Sequence, residues 1–133
     1  AASDVYKRQC GYGLINFLGA RRVSGFELFA KYADLDSHVK ACSVLVTGEG
    51  KFDKTDAQGK GPYLLAKMAE KHKKPIWVLC GTADISDSEL AEMKFSNIKI
   101  GQIAKIAPNI IEANNRAAKF LSAIARDFAL ELA

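Results

Sequence analysis

Ser43-Val44-Leu45-Val46-Thr47-Gly48-Glu49-Gly50-Lys51-Phe52-Asp53 is the stretch on which the reading of this chain turns, and Gly59-Lys60 follow it closely. A short β-branched apolar run passes directly into a segment of glycines, two carboxylates and a lysine. Such a run reads as a buried parallel strand over Ser43 to Thr47. A buried strand does not carry Glu49, Asp53 and Lys60, so the expectation places all three on the loop that follows. In an open α/β sheet, small charged ligands bind beyond the carboxyl ends of the strands, which makes this loop the candidate site.

Outward from it, Gly61 to Lys73 puts Leu64, Leu65, Met68 and Ala69 on one helical face, with Lys67, Glu70, Lys71 and Lys74 largely elsewhere. Pro75 stops that helix and opens a second strand, Ile76 to Cys80. Strand, loop, helix and strand over this length make a βαβ crossover with parallel strands. Gly81-Thr82-Ala83-Asp84 then emerges at the same sheet edge as the first loop, and Asp84 itself reads as a turn or capping residue. Ser86-x-x-Glu89 starts a further short helix and Ile98 to Ile103 forms a third strand. Asn109 to Ala133 is the longest helix, striped by Ala113, Ala117, Phe120, Leu121, Ile124, Phe128 and Leu132.

On the other side, Gly11 to Ala20 reads as a short helix. Ser24-Gly25-Phe26-Glu27 has the form of a capping box, opening a helix to about Ala33 with Phe26, Phe29 and Ala30 facing inward. Asp36 caps a short piece through Ala41. Ala1 to Gln9 shows no periodicity and matches nothing downstream; residues 1–9 read as a non-native leader and 10–133 as the folded portion. The expected fold class is α/β: a three-layer, Rossmann-like parallel sheet of about three strands with flanking helices. It is incomplete, because parallel sheets usually have more strands and both faces covered.

Composition narrows the function classes. With 133 residues the chain fits one domain, and 49% hydrophobic with 26% charged residues is ordinary for a globular protein. No apolar run approaches the roughly 20 residues that span a bilayer. No charged-then-apolar leader opens the chain, so a membrane role is not expected. The net charge of +4 is mild and the lysines are scattered, which gives nucleic-acid binding no support. Cys10, Cys42 and Cys80 lie far apart without a C-x-x-C pair; they read as free thiols of a cytoplasmic protein, not zinc ligands or disulfides. His38 and His72 are isolated and read as helix-surface or helix-end residues.

Gly59-Lys60 invites comparison with a phosphate-binding P-loop, but Lys54 stands where that motif needs glycine and Gly61 where it needs Ser or Thr. What remains is looser. Gly48 and Gly50 let the backbone approach a ligand, and the amides around Gly61 can hold an anion. Lys60 can neutralise a phosphate or carboxylate, while Glu49 and Asp53 can hold magnesium or accept a hydroxyl proton. A solvated β–α loop with ordinary surface ion pairs is the competing reading of the same residues.

At this point the sequence resembles the glycerate 2-kinase family. Its members carry T-G-E-G-[RK]-[IF]-D-x-Q-[ST]-x-x-G-K, which here reads Thr47-Gly48-Glu49-Gly50-Lys51-Phe52-Asp53-Lys54-Thr55-Asp56-Ala57-Gln58-Gly59-Lys60. Upstream, Gly11 to Ala20 followed by Ser24-Gly25-Phe26-Glu27 is similar to the family's G-x-x-L-L-x-F-L-G-A and S-G-[IF]-E. Downstream, Ala66 through Ile76 is similar to A-K-x-A-K-K-x-x-K-P-[IV], and Cys80-Gly81-Thr82 to a small-Gly-Ser turn.

The resemblance implies transfer of the ATP γ-phosphoryl group to glycerate, giving 2-phosphoglycerate, with magnesium. It implies Asp53, Lys60 and Glu49 as catalytic residues, with Glu49 and Asp53 also as metal ligands. Gly48, Gly50, Gly59, Gly61, Gly81 and Thr82 would bind substrate or phosphate. Thr55-Asp56 departs from the family's Q-[ST] and adds negative charge near an anion site. The family's N-terminal blocks have no counterpart, so the chain resembles a C-terminal portion that is inactive alone and needs the missing N-terminal part as its partner. A free-standing α/β module that binds an anion or a partner protein without chemistry is the alternative.

Overall fold

The computed structural model describes residues 2–53 and 61–132, with side chains from residue 9 onward. The chain forms two compact units, Ala1–Asp34 and Leu35–Ala133, where composition suggested one domain.

The first unit holds α1 (Ala2–Leu18) and α2 (Gly25–Tyr32). Helix α1 starts within the segment read as a non-native leader and stops before Ala20. Ala, Lys, Arg and Gln favour helix whatever face they present, which a search for periodicity overlooks. Ser24 caps α2 as expected, accepting the Glu27 amide at 3.4 Å. The inward face expected of α2 is only partly present: Phe26 and Ala30 are half-buried, none of its residues is fully buried, and Phe29 is 64% exposed.

The second unit contains α3 (Leu35–Ala41), β1 (Leu45–Asp53), α4 (Gly61–Lys71), β2 (Ile76–Asp84), α5 (Asp87–Glu92), β3 (Ile98–Gln102), a 3-10 turn (Ile103–Lys105), α6 (Ile110–Asn115) and α7 (Ala117–Leu130). The three strands are parallel in the order β1-β2-β3, with Leu45 opposite Ile76 and Ile76 opposite Ile98. Successive strand residues face opposite ways. Ile76 packs with Ala66 and Ala69 of α4. Its neighbour Trp77 meets Phe128 of α7 edge-to-face, with ring centres 5.5 Å apart. Helices therefore cover both faces, and the unit is a three-layer α/β arrangement. Among the described residues no helix is long and apolar enough to cross a membrane.

The strands run further than expected. Glu49, Lys51 and Asp53 sit on β1 itself, and Gly81 to Asp84 on β2, where loops were anticipated. The premise that strands exclude charge fails because β1 is an edge in the described sheet: Glu49 and Lys51 face solvent while Phe52 is fully buried. Strand β3 ends at Gln102, and Ile103 is the buried first residue of the 3-10 turn. The long C-terminal helix is in fact two. Asn109 caps α6 by accepting the Glu112 amide at 2.9 Å. Arg116 then leaves helical geometry (φ −124°, ψ 28°), and α7 begins after it. Ala113 and Ile124 are buried as the stripe requires, but Leu132 is 54% exposed.

Asp36 lies inside the first turn of α3, where it joins α3 to the end of α4: its Oδ1 is 2.8 Å from Lys71 Nζ and 2.9 Å from His72 Nε2. The Lys71 hydrogen bond, reinforced by His72, lowers the Asp36 pKa from 3.8 to about 2. A folded pKa below the unfolded one gives stability that is present above pH 4 or so and lost as pH falls toward 2. Denaturant midpoints at about pH 5 and about pH 2.5 should therefore fall further in the wild type than in Asp36→Asn, which has no such proton to take up.

Candidate functional site

Among the described residues, strand β2 beyond Cys80, whose ladder partner Gln102 ends β3, has a strand neighbour on one side only. Two devices hold its last residues. On the open side the Gln102 side chain replaces the missing strand, its Oε1 accepting the Ala83 amide at 3.1 Å. On the β1 side Lys51 donates to Asp84 at 2.8 Å and stands 3.9 Å from Asp53. The Asp84 carboxylate, with Asp53 adding, raises the Lys51 pKa. This lysine is thus engaged with protein carboxylates on an exposed strand pair.

The middle of β1 and of β2 forms one wall of a cleft of about 910 Å³. Gly48, Glu49 and Gly50 of β1 contribute, as do Leu79, Cys80, Gly81 and Thr82 of β2. A Cβ on Gly81 would lie 2.7 Å from the Gly50 carbonyl oxygen, so the backbones approach here as only glycine permits. The opposite wall comes from the segment after β3: Ile103, Ala104, Ala107, Pro108 and Asn109, then α6 and the start of α7. Glu49 is the one charged residue among those lining the cleft, and its Oε1 accepts the Gly50 amide at 3.1 Å. Burial pushes the Cys80 thiol up to about 11, and its Sγ donates to the Gly101 carbonyl at 3.4 Å; it is a neutral thiol, not a nucleophile.

Of the residues singled out in the sequence, Gly48, Glu49, Gly50, Gly81 and Thr82 meet at this cleft. Asp53 and Gly61 do not line it: Asp53 pairs with Asp84 in the ladder, and Gly61 opens α4. Gly59 and Lys60 lie outside the described residues. The wall after β3 and the bracing Gln102 went unnoticed. The available signal was Ala107-Pro108-Asn109, the third strand-to-helix connection, which opens at the same sheet edge as the other two.

Glu49 and Asp53 do not form a magnesium pair. They stand four positions apart on an extended strand. At about 3.3 Å per residue that is roughly 13 Å between Cα atoms, too far for both carboxylates to ligate one ion at about 2.1 Å. Among the described residues, no three His, Cys, Asp or Glu side chains converge for a metal.

Parallel strands with helices on both faces place the unit among open α/β proteins. The comparisons carry this further. The model of the glycerate kinase family matches residues 9–133, and the chain belongs to that family. It is 36% identical over 72 residues to the glycerate 2-kinase of Escherichia coli K12, covering 54% of this chain and 19% of that protein. It is 27% identical over 122 residues to the glycerate kinase of Bacillus subtilis 168, covering 92% and 31%. A crystal structure assigned to a glycerate kinase 2 from Salmonella typhimurium LT2 has the same fold, with a TM-score of 0.60, 24% identity, and coverage of 92% of this chain and 29% of that one. The chain thus spans between a fifth and a third of the length of these relatives.

Removing the acceptor that braces β2 should be felt at one amide. In Gln102→Leu, hydrogen exchange at Ala83 should rise about tenfold relative to that at Val78, the equivalent of one lost hydrogen bond, while Gln102→Glu, which keeps an acceptor, should restore protection. Unchanged exchange at Ala83 in Gln102→Leu would remove the bracing role.

Proposed function

We propose that this chain is part of an enzyme that transfers the γ-phosphoryl group of ATP to a hydroxyl of glycerate, yielding 2-phosphoglycerate. The observation that carries the reading is the family match over residues 9–133. The cleft supports it: Gly48, Glu49 and Gly50 of its wall belong to the Thr47-Gly48-Glu49-Gly50 stretch that resembles the family. Phosphoryl transfer asks mainly for positioning and charge neutralisation. In our proposal Lys60 neutralises the transferring group and Asp53, at the end of β1, accepts the proton of the attacking hydroxyl. Gly59 and Gly61 flank that lysine and bring backbone amides to the phosphate.

Magnesium has no fitting pair in Glu49 and Asp53, so no step is assigned to it. The relatives are several times longer than the matched segment, and we propose that activity requires their remaining portion as well. The three cysteines are free thiols, which supports a cytoplasmic setting.

A chimera in which residues 10–133 replace the matching segment of the Bacillus subtilis relative tests the reading. It should release ADP in a glycerate-dependent manner, and the 133-residue chain alone should not. Lys60→Ala and Asp53→Ala should each lower kcat/KM by about 100-fold or more, the scale of a lost charge clamp or general base. Wild-type rates in both variants would overturn the assigned roles, and a folded chimera without glycerate-dependent turnover would overturn the function.

A further inference from the structure

We infer that Asp84 is a positioning residue for Asp53: it draws the Lys51 ammonium to itself and so keeps that cation from closing onto the carboxylate that takes the substrate proton. The role of Asp53 rests on the kinase reading above; the arrangement of the three side chains does not. Lys51 and Asp53 stand two residues apart on β1 and therefore share a face, and Asp84 is the ladder partner of Asp53 on β2. Two carboxylates thus sit side by side with one ammonium within reach of both. The ammonium goes to Asp84: Lys51 Nζ donates to its Oδ2 at 2.8 Å and stands 3.9 Å from Asp53 Oδ2, beyond hydrogen-bond reach. The same order appears in the causes of the raised Lys51 pKa, where the Asp84 hydrogen bond is the largest and the Asp53 charge the smallest.

Desolvation explains the choice. The Asp84 side chain is 76% exposed and that of Asp53 only 21%, so an ion pair with Asp84 strips less water from either partner. The choice matters for chemistry. An ammonium in direct contact with a carboxylate occupies its lone pairs and favours its charged form, which makes it a poorer acceptor for a hydroxyl proton. At its present distance Lys51 still offsets the repulsion between the two neighbouring carboxylates without bonding to Asp53. Asp84 therefore acts through Lys51, and at a site where it need touch no substrate. A pair that served only to keep β1 and β2 in register would act differently: losing both halves would cost at least as much as losing one.

Two measurements decide this. In the chimera that carries residues 10–133, Asp84→Asn should lower kcat by about tenfold, a part of the roughly 100- to 10,000-fold that a positioned base contributes. The KM for glycerate should stay within about twofold, the split expected when only the transition state is affected. Lys51→Met together with Asp84→Asn should recover most of the lost kcat, because the ammonium that would close onto Asp53 is gone. In crystals of the 133-residue chain with Asp84→Asn, whose amide accepts more weakly than a carboxylate, Lys51 Nζ should move to about 2.8 Å from Asp53 Oδ2. Wild-type kcat in Asp84→Asn, a double variant no faster than Asp84→Asn alone, or a Lys51 still out of reach of Asp53 in the crystals would overturn the inference. An active chimera indifferent to Asp84→Asn would refute this inference alone. A folded chimera without glycerate-dependent turnover would refute the kinase reading, and the crystals would still show whether Asp84 holds Lys51 off Asp53.

Discussion

The close approach of α7 to the sheet at Gly101 is the contact on which the site depends. A Cβ there would overlap Ile124 Cγ2 and would stand 3.2 Å from Leu79 and 3.3 Å from Phe128. With glycine, Ile124 settles directly against β3, and Leu79, Phe120 and Phe128 close around it. The same seating brings Ala113, Ala117 and Leu121 to the cleft lined by Gly48 to Gly50 of β1 and Leu79 to Thr82 of β2. One face of α6 and α7 is therefore core toward Gly101 and cleft wall toward Gly81. Lys99 reinforces the contact from β3, pairing with Glu131 and lying over the Phe128 ring at 5.6 Å.

A second constraint acts at the strand ends. Strand β3 stops at Gln102 while β1 and β2 continue together to Asp53 and Asp84. A two-stranded ribbon is marginal on its own. Here it is kept in register by the Gln102 side chain on one side and the Lys51–Asp84 pair on the other. The ion pair is exposed and contributes modestly. The Gln102 contact is half-buried and replaces a ladder hydrogen bond that would otherwise be missing. Glycine content and strand length thus work together: the glycines permit the approach, and the extension gives them a cleft to line.

Much of this was legible in the sequence. The three strands, their parallel direction, the amphipathic α4 and the caps at Ser24, Ser86 and Asn109 follow from periodicity and capping chemistry. The strand ends were not legible, because charge marks a loop only where both faces are buried, and β1 is an edge whose Glu49 and Lys51 face water. Nor was the break at Arg116, a residue that favours helix, so that tertiary packing decided its backbone. The wall after β3 was hidden for a different reason. Its alanines and leucine carry the signature of a core stripe, and a pattern of apolar residues does not say whether the opposing surface is protein or ligand.

Whether α7 is seated by Gly101 is read most directly by a double-mutant cycle on stability with Gly101→Ala and Ile124→Ala. Gly101→Ala alone should destabilise by about 1–3 kcal/mol through overpacking, and Ile124→Ala should also destabilise through a lost buried side chain. Together they should cost less than the sum by about 0.5–3 kcal/mol, since removing the Ile124 branch makes room for the added methyl. Costs that add within about 0.5 kcal/mol would contradict the seating of α7 at Gly101.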